Sequence, residues 1–239
     1  MHHIPLLTLI SLAFFTTIAW QATPAGGAGS PQGASQTQDA PAQASKAQGS
    51  KARNNARAEI EQGSIKNGDA APDFTLADCE GKNPITLSKL SGKPTVLVFG
   101  SCSCPPFVSS AKATEALYEK YKDRVNFVMV YIREAHPTDG WKLDKNQFQV
   151  TTPTSTVERC ALAKDFDDRI KVSMPLVVDT IDDPTAKAYS PWPNRMYIID
   201  AQGIVVDAGE AGPRGTAKSA KKAPAILDGL LAKEKSAEN

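Results

Sequence analysis

The side chains best suited to chemistry in this 239-residue chain are four cysteines, at positions 79, 102, 104 and 160, and His136, the one histidine beyond position 3. Cys104 stands apart from the other thiols. It follows the apolar run TVLVF at 95–99 and precedes Pro105 and Pro106, within FGSCSCPPF at 99–107. The run reads as a buried strand and the prolines as the first turn of a helix, where their missing N–H costs nothing. Free backbone donors and the helix dipole at such a start favour negative charge. The Cys104 thiol is therefore expected to have a lowered pKa and to act as a thiolate nucleophile.

The remaining candidates fall around it. If an imidazole serves this site as acid, base or substrate anchor, it is that of His136, in VYIREAHPTDGW at 130–141. Glu134 lies two positions earlier, on the same face at the end of a strand, and is placed to orient it. A Cys102–Cys104 disulfide would close a strained ring, so Cys102 is read as a resolving thiol that pairs transiently with another thiol. Cys160, on an expected helix, is a second resolving candidate or else a core cysteine. Cys79, in the turn DCEG, reads as an exposed bystander. Trp141 and Trp192 could line a pocket for an aromatic substrate, or belong to the core.

The elements that must hold these residues are strands over 95–99, 127–132, 176–178 and 196–199, a turn DAQG at 200–203, and a further strand at 204–207. Helical patterns cover 106–121, 157–166 and 225–232. The expected class is α/β, a central mixed β-sheet flanked by helices, with chemistry gathered beyond the carboxyl ends of the strands. A formal charge of +1 gives no basic face for a nucleic acid. Four cysteines without paired Cys and His spacings build neither a disulfide scaffold nor a zinc site, so no metal is expected.

Residues 4–20 are almost entirely apolar, and segment 1–22 is expected to be a signal peptide or a membrane anchor, which makes the protein exported: periplasmic, secreted or membrane-anchored. Residues 23–59, rich in Ala, Gln, Gly, Ser and Pro, form a disordered linker, because they cannot bury enough surface to offset their ordering entropy. The folded domain is expected over 60–239.

GDAAPDFTLAD at 68–78 and LSKLSGKPTVLVF at 87–99 resemble the opening of peroxiredoxin-like and other thioredoxin-fold proteins. On that resemblance Cys104 takes the place of the attacking cysteine and Phe107 that of the usual second one, so the redox cycle closes with another thiol. With VYIREAHPTDGW, PLVVDTIDDPTAKAY at 175–189, PNRMYIID at 193–200 and GEAGP at 209–213, most of the folded part resembles the iodothyronine deiodinase family. That family carries selenocysteine at the position of Cys104. The resemblance implies a thioredoxin-like fold and reductive dehalogenation: attack on an aryl-bound iodine, protonation of the ring carbon, and regeneration by thiols.

It further implies that Cys104 is the nucleophile and that the family's active-site Ser, Tyr and His fall on Ser101, Tyr131 and His136. Trp141, Arg195 and Pro193 become the substrate-binding candidates, with Pro193, or Pro175 in competition, as the cis proline facing the cysteine. No bound cofactor is implied, only an external thiol reductant or a thioredoxin-like protein, a small halogenated aromatic or peroxide substrate, and room for a homodimer. Departures fall on Pro153 in place of a second family histidine, Asn194 in place of an acidic residue, and Ala211 in place of a hormone-clamping arginine, with Arg214 nearby but out of register. A peroxiredoxin-like thiol peroxidase is the nearest alternative, because Ser101 to Cys104 also forms an S-x-x-C pattern. A non-enzymatic redox binding module or disulfide chaperone is the other.

Overall fold

The computed structural model describes residues 65–210 and 212–237. It begins with a short antiparallel hairpin, β1 (Thr75–Leu76) and β2 (Ile85–Thr86), followed by a 3-10 turn over Leu87–Leu90. The apolar run at 95–99 becomes β3 (Thr95–Gly100), buried along its whole length. Helix α1 (Pro105–Tyr121), β4 (Asn126–Tyr131), α2 (Thr156–Ile170), β5 (Leu176–Val178), a short α3 (Pro184–Tyr189), β6 (Arg195–Ile199), β7 (Val205–Asp207) and α4 (Gly215–Ala237) complete the order.

Five of the strands form one sheet in the order β5, β4, β3, β6, β7. β3 pairs in parallel with β4, and β4 with β5, whereas β6 runs antiparallel to both β3 and β7. The expected mixed α/β sheet is therefore present. Nearly unbroken apolar sequence in β3, β4 and β6 follows from burial on both faces.

Local chemistry sets the ends of the helices. Ser155 caps α2 by accepting the Glu158 N–H at 3.2 Å, while the Glu158 carboxylate accepts the N–H and hydroxyl of Thr154. Lys171 ends that helix in the left-handed conformation at φ 62°. α4 begins ten residues before the expected 225, with Pro224 inside it; the lysine- and alanine-rich stretch ahead of the proline has helix propensity but little apolar pattern. Ile204 makes only an isolated bridge to Ala70.

Around the carboxyl ends of β3 and β4, four aromatic rings share one contact. Phe166 of α2, fully buried, stacks on Phe107 of α1 at 5.5 Å and meets Tyr131 and Phe148 at 6.2 Å each. Gly100 ends β3 where a Cβ would lie 2.3 Å from the Phe107 ring, so only glycine lets strand and helix approach this closely. α1 packs on α4, with the Tyr121 hydroxyl donating to Asp228 at 2.8 Å.

The membrane anchor expected through residues 4–20 is corrected: no helix among the described residues is long and apolar enough to cross a membrane, and the longest, α4, is studded with lysines. Residues 4–20, the linker at 23–59 and the expected domain start at 60 lie outside the described residues. Phe166→Ala should lower stability by roughly 3–5 kcal/mol in urea unfolding, from lost burial plus a cavity among three rings. A loss under about 1 kcal/mol would show that these rings do not form a close-packed core.

Candidate active site

Cys104 is the residue that precedes α1, with Pro105 and Pro106 in the first turn. Its N–H donates to the Ser101 carbonyl at 3.2 Å, and its carbonyl accepts the Val108 N–H at 3.0 Å. The sulfur accepts a hydrogen bond from Asn194 Nδ2 at 3.2 Å, while the Phe107 N–H of the first turn acts on it only as a nearby backbone dipole. The thiol is thus placed at a helix start without capping it. Nor is its acidity raised there, because Cys104 is only 1% exposed. Burial pushes the thiol up from its ordinary value, the Phe107 and Asn194 donors offset part of that rise, and the Glu134 charge adds to it. The expectation of a lowered pKa is corrected: a thiolate in a nearly water-free setting loses more hydration than two donors return.

The loop 101–104 owes its shape to Glu134. One carboxylate oxygen accepts the Tyr131 hydroxyl at 2.5 Å; the other accepts the Ser103 N–H at 3.0 Å and the Cys102 thiol at 3.7 Å. The Tyr131 oxygen in turn accepts the Cys102 N–H at 3.2 Å. Burial first, and the neighbouring carboxylate second, push both the Cys102 thiol and the Tyr131 hydroxyl upward, so both keep their protons. Ser101 is buried, and its hydroxyl has no hydrogen-bond partner among the described residues.

His136 is half-buried, with its ring engaged by Trp141. Its Nδ1 is 3.0 Å from the Trp141 carbonyl, and the two rings meet edge to face at 4.5 Å. A carbonyl only accepts, so Nδ1 carries the hydrogen and Nε2 the lone pair in the neutral ring. Burial lowers the imidazole's pKa and the Trp141 carbonyl offsets part of the shift, which favours that neutral form. Glu134, expected to orient the ring, instead holds Tyr131, Cys102 and Ser103, and its backbone carbonyl receives Trp192 Nε1 at 3.5 Å. The His136 segment reaches the cysteine loop through its backbone: the N–H groups of Ala135 and His136 both donate to Ser103 Oγ, at 3.0 and 3.1 Å.

The structure therefore gathers Cys102, Cys104, Tyr131 and Glu134, and adds three residues that sequence reasoning did not place there. Ser103 lies between two cysteines and could have been found from that position. Asn146 donates to the Ser103 carbonyl at 2.6 Å from a loop with no local signal. Asn194, noted only as a departure, donates to Cys104 and to the Pro213 carbonyl at 3.1 Å and accepts the Thr216 N–H at 3.0 Å.

The substrate-binding candidates divide. The Trp192–Pro193 peptide is cis, at Pro193 rather than Pro175, and leads directly into Asn194. Arg195 is buried, with its guanidinium donating to the carbonyls of Ala208 at 2.7 Å, Gly209 at 3.1 Å and Ser190 at 3.4 Å. Those bonds fix its guanidinium against the backbone around β6 and β7. Trp192 and Arg133, its guanidinium 5.2 Å from the ring centre, line a 390 Å³ cleft with Asp183, Lys187 and Ser190. Cys160 sits against Cys79, whose thiol donates to its carbonyl at 3.3 Å. Ala211 lies outside the described residues. Among the described residues, no group of three His, Cys, Asp or Glu side chains is placed to hold a metal ion.

The family model described as iodothyronine deiodinase matches residues 48–223. The thyroxine 5-deiodinase of Ovis aries is 35% identical over 123 residues, covering 52% of this chain and 41% of the relative. The type I iodothyronine deiodinase of Xenopus laevis is 33% identical over 149 residues, covering 62% and 58%. The chain thus spans about two fifths of the length of the first of these relatives. Among solved structures, a hypothetical protein from Sinorhizobium meliloti superposes with a TM-score of 0.52 at 21% identity, covering 72% of this chain and 87% of that one. An uncharacterised conserved protein from Geobacillus kaustophilus gives 0.51 at 21% identity, covering 70% and 83%. With well over half its length matched by the family model, and with its sheet order as described, this chain belongs to the iodothyronine deiodinase family on a thioredoxin-like fold.

Proposed function

We propose that this thiol-based redox protein is an oxidoreductase in which Cys104 attacks a small electrophile, foremost a peroxide. The observation that carries the reading is the Asn194 amide donating to a Cys104 sulfur that is 1% exposed. A donor aimed at sulfur stabilises the thiolate over the thiol, and a nearly closed sulfur is more readily reached by a peroxide than by an aromatic ring. The peroxide O–O bond breaks, sulfur takes the distal oxygen, and the thiol proton ends on the departing alcohol, giving a sulfenic acid. One external thiol converts this to a mixed disulfide and water; a second releases Cys104 and leaves with the first as a disulfide.

Cys102 is the nearby thiol in this scheme. It can take the place of the second thiol by attacking the outer sulfur of the mixed disulfide. Cys104 then leaves as the thiolate, and the Cys102 proton passes to Glu134, against which it rests; a further external thiol frees Cys102 and leaves as a disulfide with the first. The unpaired Ser101 hydroxyl is a spare donor for the incoming oxygen. His136, neutral with Nε2 unprotonated, is suited to accept a proton. The apolar start of the sequence supports an extracytoplasmic location, with a small thiol or a thioredoxin-like protein as reductant.

Reductive dehalogenation is the second reading, favoured by the family to which the chain belongs. There the thiolate takes iodine from an aryl carbon, the carbon gains a proton, and a thiol displaces iodide from the sulfenyl iodide. The loop at 101–104 would have to open for a ring to reach the sulfur.

With dithiothreitol as reductant, peroxide consumption should exceed iodide release from iodotyrosine, and Cys104→Ser should abolish it. Iodide release alone, lost in the same variant, would replace the first reading by the second; no turnover in either assay would leave a redox binding module. Alkylation of Cys104 by iodoacetamide, read by peptide mass spectrometry, should rise about tenfold per pH unit from about pH 7 to pH 9, because the thiolate reacts and burial holds the thiol above the ordinary cysteine value. A plateau below that value would sink the burial account. Asn194→Asp, which keeps the acceptor for Thr216 but puts negative charge beside sulfur, should slow the same alkylation by at least about fivefold. An unchanged rate would remove Asn194 from the site.

A further inference from the structure

Cys79 and Cys160 lie outside the cluster around Cys104. Separated by 81 positions, they meet where the turn between β1 and β2 touches α2: the Cys79 thiol donates to the Cys160 carbonyl at 3.3 Å. Both are half-buried, whereas Cys102 and Cys104 are buried. Both also line an open, largely apolar groove of 630 Å³ beside Val157, which is 80% exposed, so a small disulfide can reach them.

The backbone on each side is tied down. Asp78 accepts the N–H groups of Glu80 and Lys82 at 3.0 and 2.8 Å and the Asn83 amide at 2.9 Å, which fixes the turn carrying Cys79. The Ala77 carbonyl accepts the Val178 N–H at 3.1 Å and joins that hairpin to β5. Next to Cys160, buried Arg159 donates to the carbonyls of Asp179 and Thr180 at 3.1 and 2.7 Å and to the Asp183 carboxylate at 2.7 Å. Two cysteines set side by side on anchored elements, one thiol already against the other's backbone, can join by side-chain rotation with modest movement of either segment.

We propose that Cys79 and Cys160 form a reversible disulfide, a second redox site separate from Cys104, which staples the β1–β2 turn to α2. The oxidant is a small disulfide of the glutathione class. One cysteine, as thiolate, attacks a sulfur of glutathione disulfide and displaces one glutathione; the other attacks the resulting mixed disulfide and displaces the second. Two cysteine thiols are oxidised, one glutathione disulfide is reduced to two thiols, and the two cysteine protons end on the departing glutathiones. The link closes a loop of about 80 residues and so restricts the unfolded chain. It also pins α2, whose Phe166 backs Phe107 and Tyr131. Burial and the neighbouring Cys160 push the Cys79 thiol up to about 12, so exchange is slow near neutrality and quickens with pH.

The test uses the full chain, reduced and then exposed overnight to excess glutathione disulfide at about pH 8.5. Remaining thiols are blocked with N-ethylmaleimide before tryptic digestion without reductant. The expected result is a joined pair of peptides 67–82 and 160–164, an intact mass about 2 Da lower per link, and a Tm several degrees above that of the reduced protein. Both signals should vanish in Cys79→Ser. Peptides recovered only with maleimide, or each with its own glutathione, would overturn the disulfide; a joined pair with no rise in Tm would overturn the staple.

Discussion

One buried carboxylate organises the cysteine loop. Glu134 receives the Tyr131 hydroxyl, the Ser103 N–H and the Cys102 thiol, and the hydroxyl receives the Cys102 N–H. A carboxylate shut away from water is costly unless its lone pairs are met, and these donors meet them. The arrangement works in both directions, because the loop needs the carboxylate to hold its N–H groups, and the carboxylate needs the loop to replace its hydration. The position of Cys104 at the start of α1 follows from this mutual dependence.

Acidity and enclosure oppose each other at that sulfur. The helix start and the Asn194 amide favour a thiolate, while the surrounding aromatic and aliphatic core and the Glu134 charge oppose it. A carboxylate in the place of Asn194 would add to the effect of Glu134, whereas the amide donates to the sulfur.

Much of the sheet was legible because strands buried on both faces show as apolar runs, as at 95–99 and 127–132. The short hairpin, α3 and the first ten residues of α4 were not, since two-residue strands and lysine-rich helix carry little hydrophobic period. In the site, Cys104 was legible from local pattern alone. Its raised pKa was not, because desolvation comes from residues distant in sequence. Nor could Cys79 be recognised as a partner of Cys160, for 81 positions of separation carry no sign of contact. Glu134 was singled out for the wrong neighbour: alternation along a strand placed it near His136, yet the chain turns there and sends its carboxylate to the loop.

Asn194 links more than one pair of atoms. Its amide nitrogen reaches both the Cys104 sulfur and the Pro213 carbonyl, while its oxygen takes the Thr216 N–H in the first turn of the C-terminal helix. An oxygen or second sulfur added to Cys104 must share or displace that nitrogen, and the amide cannot rotate away without releasing the helix. One side chain thus ties the sulfur and the seat of that helix to the same three hydrogen bonds.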